Sequence, residues 1–158
     1  MKLERVTGPS QIAAVAELAR EIWTAYYTPL IGAAQVGYML AAFQSAEAIT
    51  RQIGAEGYEY YLAPGEGYLA LVPDPAKQSM FLSKIYVKEH LRRTGLGRAM
   101  MELAEARCRE TGCRELWLTV NRHNAGSIAF YEKMGFRKTN PLAGLGPYLC
   151  LCRWRIRA

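Results

Sequence analysis

A glycine turn, Gly95-Leu96-Gly97, is the segment of this chain best suited to bind a charged ligand. It follows an apolar run with strand character, residues 80–87, and precedes a pattern of helical period. In such a turn, consecutive backbone N–H groups can point at one ligand at the positive end of a helix. Arg92, Arg93 and Arg98 add charge that suits a phosphate or diphosphate. The sequence therefore predicts a phosphate-binding loop.

The spacing excludes two common phosphate motifs. A P-loop requires Lys followed by Ser or Thr after its second glycine, and no such pair follows here. A dinucleotide fingerprint requires a third glycine where this chain has Met100. What remains is R-x-x-G-x-G, from Arg92 to Gly97, after a strand. A second block, Asn121 to Phe136, combines an asparagine, a helix rich in small residues, a tyrosine and a Gly-Phe pair.

Together the two blocks resemble the signatures of the GNAT superfamily of N-acetyltransferases, in the family's order and with a helix and a strand between them. The resemblance implies an α/β (α+β) single-domain GNAT fold over residues 1–158, with a mixed, mostly antiparallel sheet of six or seven strands and about four helices. It also implies an enzyme that moves an acetyl group from acetyl-CoA to a primary amine by direct attack in a ternary complex.

The resemblance assigns roles to individual residues. Tyr131 matches the tyrosine near the thioester sulfur, and a phenol with a pKa of about 10 can protonate a leaving thiolate. The other matched residues would bind acetyl-CoA: Ile85, Tyr86 and Val87 on the strand, Arg92, Arg93, Thr94, Gly95, Leu96, Gly97 and Arg98 at the turn, and Asn124, Ser127 and Lys133 on the later helix. Residues 81–84 contain no carboxylate, although many relatives carry one there, so the general base is left unassigned.

The segment between the first two strands helps to form the acceptor pocket in GNAT proteins. Here it contains Trp23, Tyr26, Tyr27 and Tyr38, which can hold an amine by cation–π contact or simply pack the core. This segment is loosely similar to that of bacterial spermidine/spermine N-acetyltransferases, which favours a small amine such as a polyamine, although the arginine-rich C-terminus departs from that group. A protein N-terminus, as in ribosomal-protein acetyltransferases, and a non-catalytic acetyl-CoA-binding module are the alternatives.

Length and composition limit the remaining possibilities. A chain of 158 residues with 51% hydrophobic residues fits one domain with one core. A long uncharged stretch, residues 24–45, contains proline and glycine and is a poor membrane span, and no apolar leader follows the N-terminus, so we expect a cytoplasmic protein. The net charge of +6 is divided between the turn and the C-terminus, which is unlike a single nucleic-acid face. Four cysteines without C-x-x-C spacing and two histidines indicate no metal site, and a homodimer is an open expectation.

Local patterns predict the elements that would position these residues. The predicted strands cover residues 2–6, 58–63, 68–72, 80–87, 115–120, 136–139 and 148–156, the last as an edge strand. The predicted helices start at Ser10 as cap, near Gln35, after Ser45, after Gly97 and at Asn124 as cap. A strand, helix, strand order around the glycine turn predicts parallel pairing of the two strands.

Overall fold

The computed structural model describes residues 2–139 and 149–155, with only the backbone at residues 149–151 and 155. In chain order the elements are β1 (Glu4–Arg5), α1 (Pro9–Ile31), α2 (Ala33–Met39), a π-helical turn (Leu40–Gln44), α3 (Ala46–Ala55), β2 (Glu59–Ala63), β3 (Gly67–Asp74), a 3₁₀ turn (Pro75–Lys77), β4 (Ser79–Val87), a second 3₁₀ turn (Glu89–Leu91), α4 (Leu96–Glu110), β5 (Glu115–Asn121), α5 (Ala125–Lys133), β6 (Arg137–Thr139) and β7 (Leu149–Arg155).

The strands form one mixed sheet with the order β1-β2-β3-β4-β5-β7-β6. β4 and β5 pair in parallel, as the intervening helix predicts, whereas β1 with β2, β5 with β7 and β6 with β7 pair antiparallel. The predicted fold class is therefore confirmed. The described residues group into two compact units, one within residues 1–70 and 84–100 and the other within 71–83 and 101–158.

In the first unit, α1 begins two residues earlier than predicted. The helix starts at Pro9 after Gly8, and the side-chain oxygen of Gln11 accepts a hydrogen bond from the Gly8 N–H at 3.2 Å. Proline is well suited to the first helical position, because the N–H that it lacks would have no partner there. Ser10 therefore lies inside the helix, and the prediction that it caps the helix is wrong.

α1 runs to Ile31 and contains Pro29 in its last turn. Little of the helix follows this proline, and the chain ends the helix at Gly32 with a φ of 86°, where the Gly32 N–H donates to the Thr28 carbonyl at 2.9 Å. α1 buries Val15, Leu18, Ala19, Ile22 and Trp23 at helical spacing. None of the helices in the described ranges is long and apolar enough to cross a membrane.

In the second unit, the outer strand of the sheet differs from the one that the sequence predicted. β7 pairs with β5 from Glu115↔Arg155 to Asn121↔Leu149 and with β6 on its other side, so β6 is the outer strand and the prediction of β7 as an edge strand is wrong. A three-residue strand leaves little unpaired backbone exposed, which protects an edge as effectively as charge does. The sequence of this strand predicts that Cys152 and Arg153 point to opposite sides, and Cys152 is indeed buried while Arg153 is exposed.

In the helix after the glycine turn, α4, the helical spacing predicts that Leu96, Ala99, Met100 and Leu103 point inward and that Glu105 pairs with Arg109. Leu96 and Met100 are buried, whereas Ala99 and Leu103 are only half-buried. The fully buried positions of its later turns are Met101, Ala104 and Cys108. The guanidinium of Arg109 lies 2.5 Å from the Glu105 carboxylate, so the predicted i,i+4 pair is confirmed.

Gly67, the first residue of β3, is in close contact with the end of β4. A Cβ atom built on Gly67 would lie 2.4 Å from the Tyr86 carbonyl oxygen and 3.2 Å from the Cα of Val87. Both neighbours are backbone atoms, which can move away only if the strand itself moves. Glycine at residue 67 therefore allows β3 to approach closely the segment of β4 that is predicted to bind acetyl-CoA.

We predict that Gly67→Ala lowers the free energy of unfolding by about 1–3 kcal/mol, since the added methyl overpacks a backbone contact. Gly54→Ala is the matched control, because nothing lies within 4 Å of its Cβ position in α3 and alanine favours a helix. We expect the control to stabilise the protein by about 0.5–1 kcal/mol. Urea unfolding monitored by circular dichroism measures both, and equal stability of the two variants would contradict the prediction.

Candidate functional site

The predicted phosphate-binding loop lies in the first unit, between β4 and α4. Arg93 and Gly95 both adopt the left-handed conformation, with φ values of 67° and 94°. Left-handed residues in a short loop turn successive N–H groups toward one side, which forms an anion-binding concavity. The Ala99 N–H donates to the Gly95 carbonyl at 3.0 Å. The earlier N–H groups of α4 precede this first helical bond, and such groups have no partner within their own helix.

The side chains of this loop leave positive charge at the surface. Arg92, Arg93, Thr94 and Arg98 are all exposed. The Thr94 hydroxyl donates to the Leu91 carbonyl at 2.5 Å and so helps to close the loop. The Arg92 guanidinium lies 5.7 Å from the centre of the Tyr26 ring. One residue predicted to bind acetyl-CoA therefore contacts one predicted to bind the acceptor.

A continuous series of seven aromatic rings crosses the first unit. In order the rings are Tyr58, Tyr60, Tyr68, Tyr86, Trp23, Tyr27 and Tyr26, with successive centroid distances of 6.1, 6.4, 5.4, 5.7, 4.4 and 4.8 Å. Trp23, Tyr26 and Tyr27 were predicted as acceptor residues. Tyr38 is 66% exposed and takes part in none of the ring contacts among the described residues.

Tyr86 was predicted as a residue that binds acetyl-CoA, whereas Tyr58, Tyr60 and Tyr68 were missed, although the sequence carried a signal for two of them. Tyr58 and Tyr60 alternate in the predicted strand of residues 58–63, which predicts that their side chains share one face. Burial raises the pKa of the Tyr27 phenol, and Tyr26 adds to the effect. Burial also raises the pKa of the Tyr60 and Tyr68 phenols well above the usual range. These hydroxyls therefore remain protonated donors at physiological pH.

Sequence reasoning also missed a buried polar cluster around Lys84, which it noted only as a residue that is not a carboxylate. The side chain of Lys84 is buried in β4, and its Nζ donates to the Phe43 carbonyl at 2.6 Å, to Gln52 Oε1 at 3.1 Å and to the Tyr60 hydroxyl. The Tyr60 hydroxyl donates in turn to Gln52 Oε1 at 2.5 Å. Burial lowers the pKa of the Lys84 ammonium from 10.5 to about 7, an effect that Glu56 partly opposes. A lysine in the middle of an apolar strand was the available signal.

In the second unit, the later block forms the predicted capped helix. The Asn124 side-chain oxygen accepts a hydrogen bond from the Ser127 N–H at 3.2 Å, which confirms Asn124 as the cap of α5. The Tyr131 ring is half-buried, 5.8 Å from that of Phe136. Lys133 is exposed on the last turn. The roles of these residues toward acetyl-CoA stay predictions.

Cysteine chemistry is not favoured in the second unit. Burial raises the pKa of the Cys108 thiol to about 12, so its thiolate is scarce at neutral pH. Its Sγ lies 3.7 Å from the Glu115 carbonyl oxygen. Within the described ranges, no three His, Cys, Asp or Glu side chains are grouped to hold a metal ion.

Similarity to characterised proteins places this geometry in context. The chain is 40% identical to the ribosomal protein bS18-alanine N-acetyltransferase of Escherichia coli over 57 residues, which are 36% of this chain and 38% of that protein. It is 33% identical to the streptothricin acetyltransferase of Streptomyces lavendulae over 93 residues, which are 59% of this chain and 48% of that protein. The chain thus spans less than half the length of these curated relatives.

A solved structure and a family model cover more of the chain. The PaiA N-acetyltransferase from Thermoplasma acidophilum, in complex with coenzyme A, has a TM-score of 0.79 and 19% identity, over 98% of this chain and 99% of that one. At this identity the likeness concerns the fold. The model of the acetyltransferase (GNAT) family matches residues 17–136. Because this match includes both the glycine turn and the Asn121 to Phe136 block, the chain belongs to the acetyltransferase (GNAT) family.

Proposed function

We propose that this protein is an acetyl-CoA-dependent N-acetyltransferase that acetylates the primary amine of a small molecule, such as a polyamine, by direct attack in a ternary complex. The observation that carries the proposal is the loop between β4 and α4, where left-handed Arg93 and Gly95 precede the N-terminus of a long helix. Such a loop suits a diphosphate, and acetyl-CoA contains one. Family membership supports the same assignment.

In this proposal the chain supplies groups that bind acetyl-CoA, stabilise the oxyanion and protonate the leaving thiolate. The backbone of Ile85, Tyr86 and Val87 would bond the pantetheine arm, and an N–H there would stabilise the carbonyl oxygen as it becomes negative. The loop from Arg92 to Arg98 would hold the diphosphate. Asn124, Ser127 and Lys133 would complete the binding of acetyl-CoA, and Tyr131 would protonate the departing thiolate.

A small acceptor is favoured by the aromatic series of the first unit. The Tyr27 ring contacts the rings of Trp23 and Tyr26, and aromatic faces attract an ammonium group. The similarity to streptothricin acetyltransferase, whose name refers to a small molecule, points in the same direction. A protein N-terminus is the second candidate, because the chain is 40% identical over 57 residues to an acetyltransferase named for ribosomal protein bS18.

The first test is thiol release from acetyl-CoA across polyamines, amino acids, aminoglycosides and short peptides that begin with alanine. We expect release with at least one small amine, because the aromatic series suits a compact cation. Release only with peptides would favour the second candidate. Acetyl-CoA binding by calorimetry without release for any acceptor would contradict the enzymatic proposal and indicate a binding module.

Replacement of Tyr131 by Phe tests the proposed acid. We predict that kcat falls about 100-fold, because the thiolate loses its proton donor, while the Kd for acetyl-CoA stays within about twofold. Tyr61→Phe is the matched control, since it removes one phenol oxygen in β2 outside the proposed site. An unchanged kcat for Tyr131→Phe would remove this residue from the mechanism.

Replacement of Gly95 by Ala tests the loop. The φ of 94° at this position is unfavourable for any residue with a Cβ atom, so the N–H groups should turn away from the diphosphate. We expect calorimetry to give an affinity for acetyl-CoA about tenfold weaker or worse. Gly54→Ala, in α3, is the control. Equal affinity of the Gly95 variant and the wild-type protein would argue against this loop as the diphosphate site.

A further inference from the structure

Lys84 is a buried amine whose hydrogen-bond partners, within the described part of the chain, include no carboxylate. Only 6% of its surface is exposed, and its Nζ is held by the Phe43 carbonyl, Gln52 Oε1 and the Tyr60 hydroxyl, all of which are neutral. Burial destabilises the charged form, which is why the pKa of Lys84 falls to about 7 although Glu56 partly opposes the shift. At neutral pH the amine is therefore present both with and without its third proton.

The cluster can satisfy both protonation states. The ammonium has three N–H donors for its three acceptors, and the Tyr60 hydroxyl donates onward to Gln52 Oε1. The neutral amine has two donors and a lone pair. If the Tyr60 hydroxyl rotates, it can donate to that lone pair while the amine still donates to Phe43 and Gln52. A proton can thus enter or leave without stranding a buried polar group.

The groups around Lys84 do not compete for this proton. Two tyrosine rings lie near Nζ. The centroid of Tyr60, in β2, is 5.1 Å away, and that of Tyr58, just before β2, is 5.9 Å away. The phenols of Tyr60 and Tyr68 have raised pKa values and stay neutral, and the Tyr68 hydroxyl donates to Gln44 Oε1 at 2.9 Å.

On the α3 side, Gln52 carries no charge. The carboxylate that follows α3, Glu56, lies 3.4 Å from the Arg51 guanidinium and favours the ammonium form of Lys84. The Phe43 carbonyl from the π-helical turn is neutral. Among the described groups of this cluster, Lys84 is the one whose charge changes near pH 7.

The position of Lys84 connects the two substrates of the proposed reaction. It directly precedes Ile85 to Val87, the residues of β4 proposed to bond the pantetheine. Its acceptor Phe43 lies in the π-helical turn of the segment proposed to form the acceptor pocket, and π-helical turns are frequent at functional sites. The amine therefore stands where the strand that holds the thioester meets the acceptor segment.

We propose that Lys84, partnered by the Tyr60 hydroxyl, is the general base that takes the proton of the acceptor ammonium. This inference rests on the proposed acetyl transfer. An N–H bond of the ammonium breaks, and its proton forms a new N–H bond at the Lys84 lone pair, while the Tyr60 hydroxyl returns to Gln52. The freed amine forms a C–N bond to the acetyl carbon, and the C–S bond breaks. The second proton of that nitrogen ends on the CoA thiol, and Lys84 releases its proton to solvent.

The pH dependence of kcat tests the proposal, with Lys84→Met and Lys84→Arg compared with the wild-type protein. Wild-type kcat should rise with pH through a midpoint near 7, because the base acts only as the neutral amine. Lys84→Met should lose about 100-fold at pH 7, and the loss should shrink toward pH 10, where the acceptor is deprotonated by solvent. Lys84→Arg, which keeps its charge, should fail to restore activity.

Two controls accompany this test. The affinity of Lys84→Met for acetyl-CoA should stay within about threefold of the wild-type value. Lys77→Met, which replaces an exposed lysine, should match the wild-type protein.

A wild-type profile in Lys84→Met would overturn the proposal, as would a loss that is uniform at every pH. Thiol release by the wild-type protein separates the two levels of inference. If the wild-type protein releases thiol and Lys84→Met behaves like it, only the assignment of the base fails. If none of the amines tested makes the wild-type protein release thiol, the proposed function fails and the assignment of the base fails with it.

Two measurements test the titration of Lys84 without any activity. The first is NMR: the ε-carbon signal of Lys84, identified by its absence in Lys84→Met, should titrate with a midpoint near pH 7. A chemical shift that still reports the charged amine at pH 9 would overturn the proposal.

The second is stability. Because the folded pKa of Lys84 lies below the unfolded value of 10.5, the unfolded chain binds more protons between pH 7 and pH 10.5. Lys84 therefore makes wild-type stability to urea rise with pH in this window, and Lys84→Met should lack that rise. Equal pH slopes for the two proteins would also overturn it.

Discussion

A buried lysine amine needs oxygen acceptors, and in the first unit three separate segments supply them to β4. The carbonyl comes from the π-helical turn, the amide from α3 and the phenol from β2, at sequence separations of 41, 32 and 24 residues. Because each bond joins distant parts of the chain, the cluster forms only when the whole unit is assembled. The energetic cost of enclosing this amine is thus met by the tertiary structure and not by any one element.

The same unit contains the loop and the aromatic series, so its polar interior and its ligand-facing features are built on shared elements. β4 carries Lys84 toward the cluster and ends at the loop before α4. β2 carries Tyr60, which belongs to both the cluster and the ring series. A displacement of either strand would therefore alter acid–base chemistry and ligand contacts together.

Much of the fold could be predicted because its signals are local. The Asn124 cap, the Glu105–Arg109 pair and the parallel crossover each follow from spacings of a few residues or from one helix between two strands. The failures required information from elsewhere in the fold. Ser10 is a good cap by type, but Pro9 extends the helix to Gly8. The arginines of β7 resemble those of an edge strand, but only the tertiary pairing reveals that β6 lies outside it.

The candidate site also has one part that the sequence could predict and one part that it could not. The glycine turn could be recognised because a phosphate loop is one continuous segment with fixed spacing. Lys84 could not be assigned a role, since its properties depend on Phe43, Gln52 and Tyr60, which are distant in sequence and unremarkable by type. A residue's acid–base behaviour is set by the groups around it in the folded protein. A local pattern of residue types shows few of those groups.

The π-helical turn has an evolutionary consequence. A π turn accommodates one residue more than the α-helical turn that it replaces, so residues 40–44 amount to an insertion. A homologue that had lost this extra residue would turn Phe43 by about 100° around the helix axis relative to α2. The carbonyl would then no longer face β4, and an amine at residue 84 would lose an oxygen that it needs. The length of this helix and the presence of lysine in the strand should accordingly be gained and lost together.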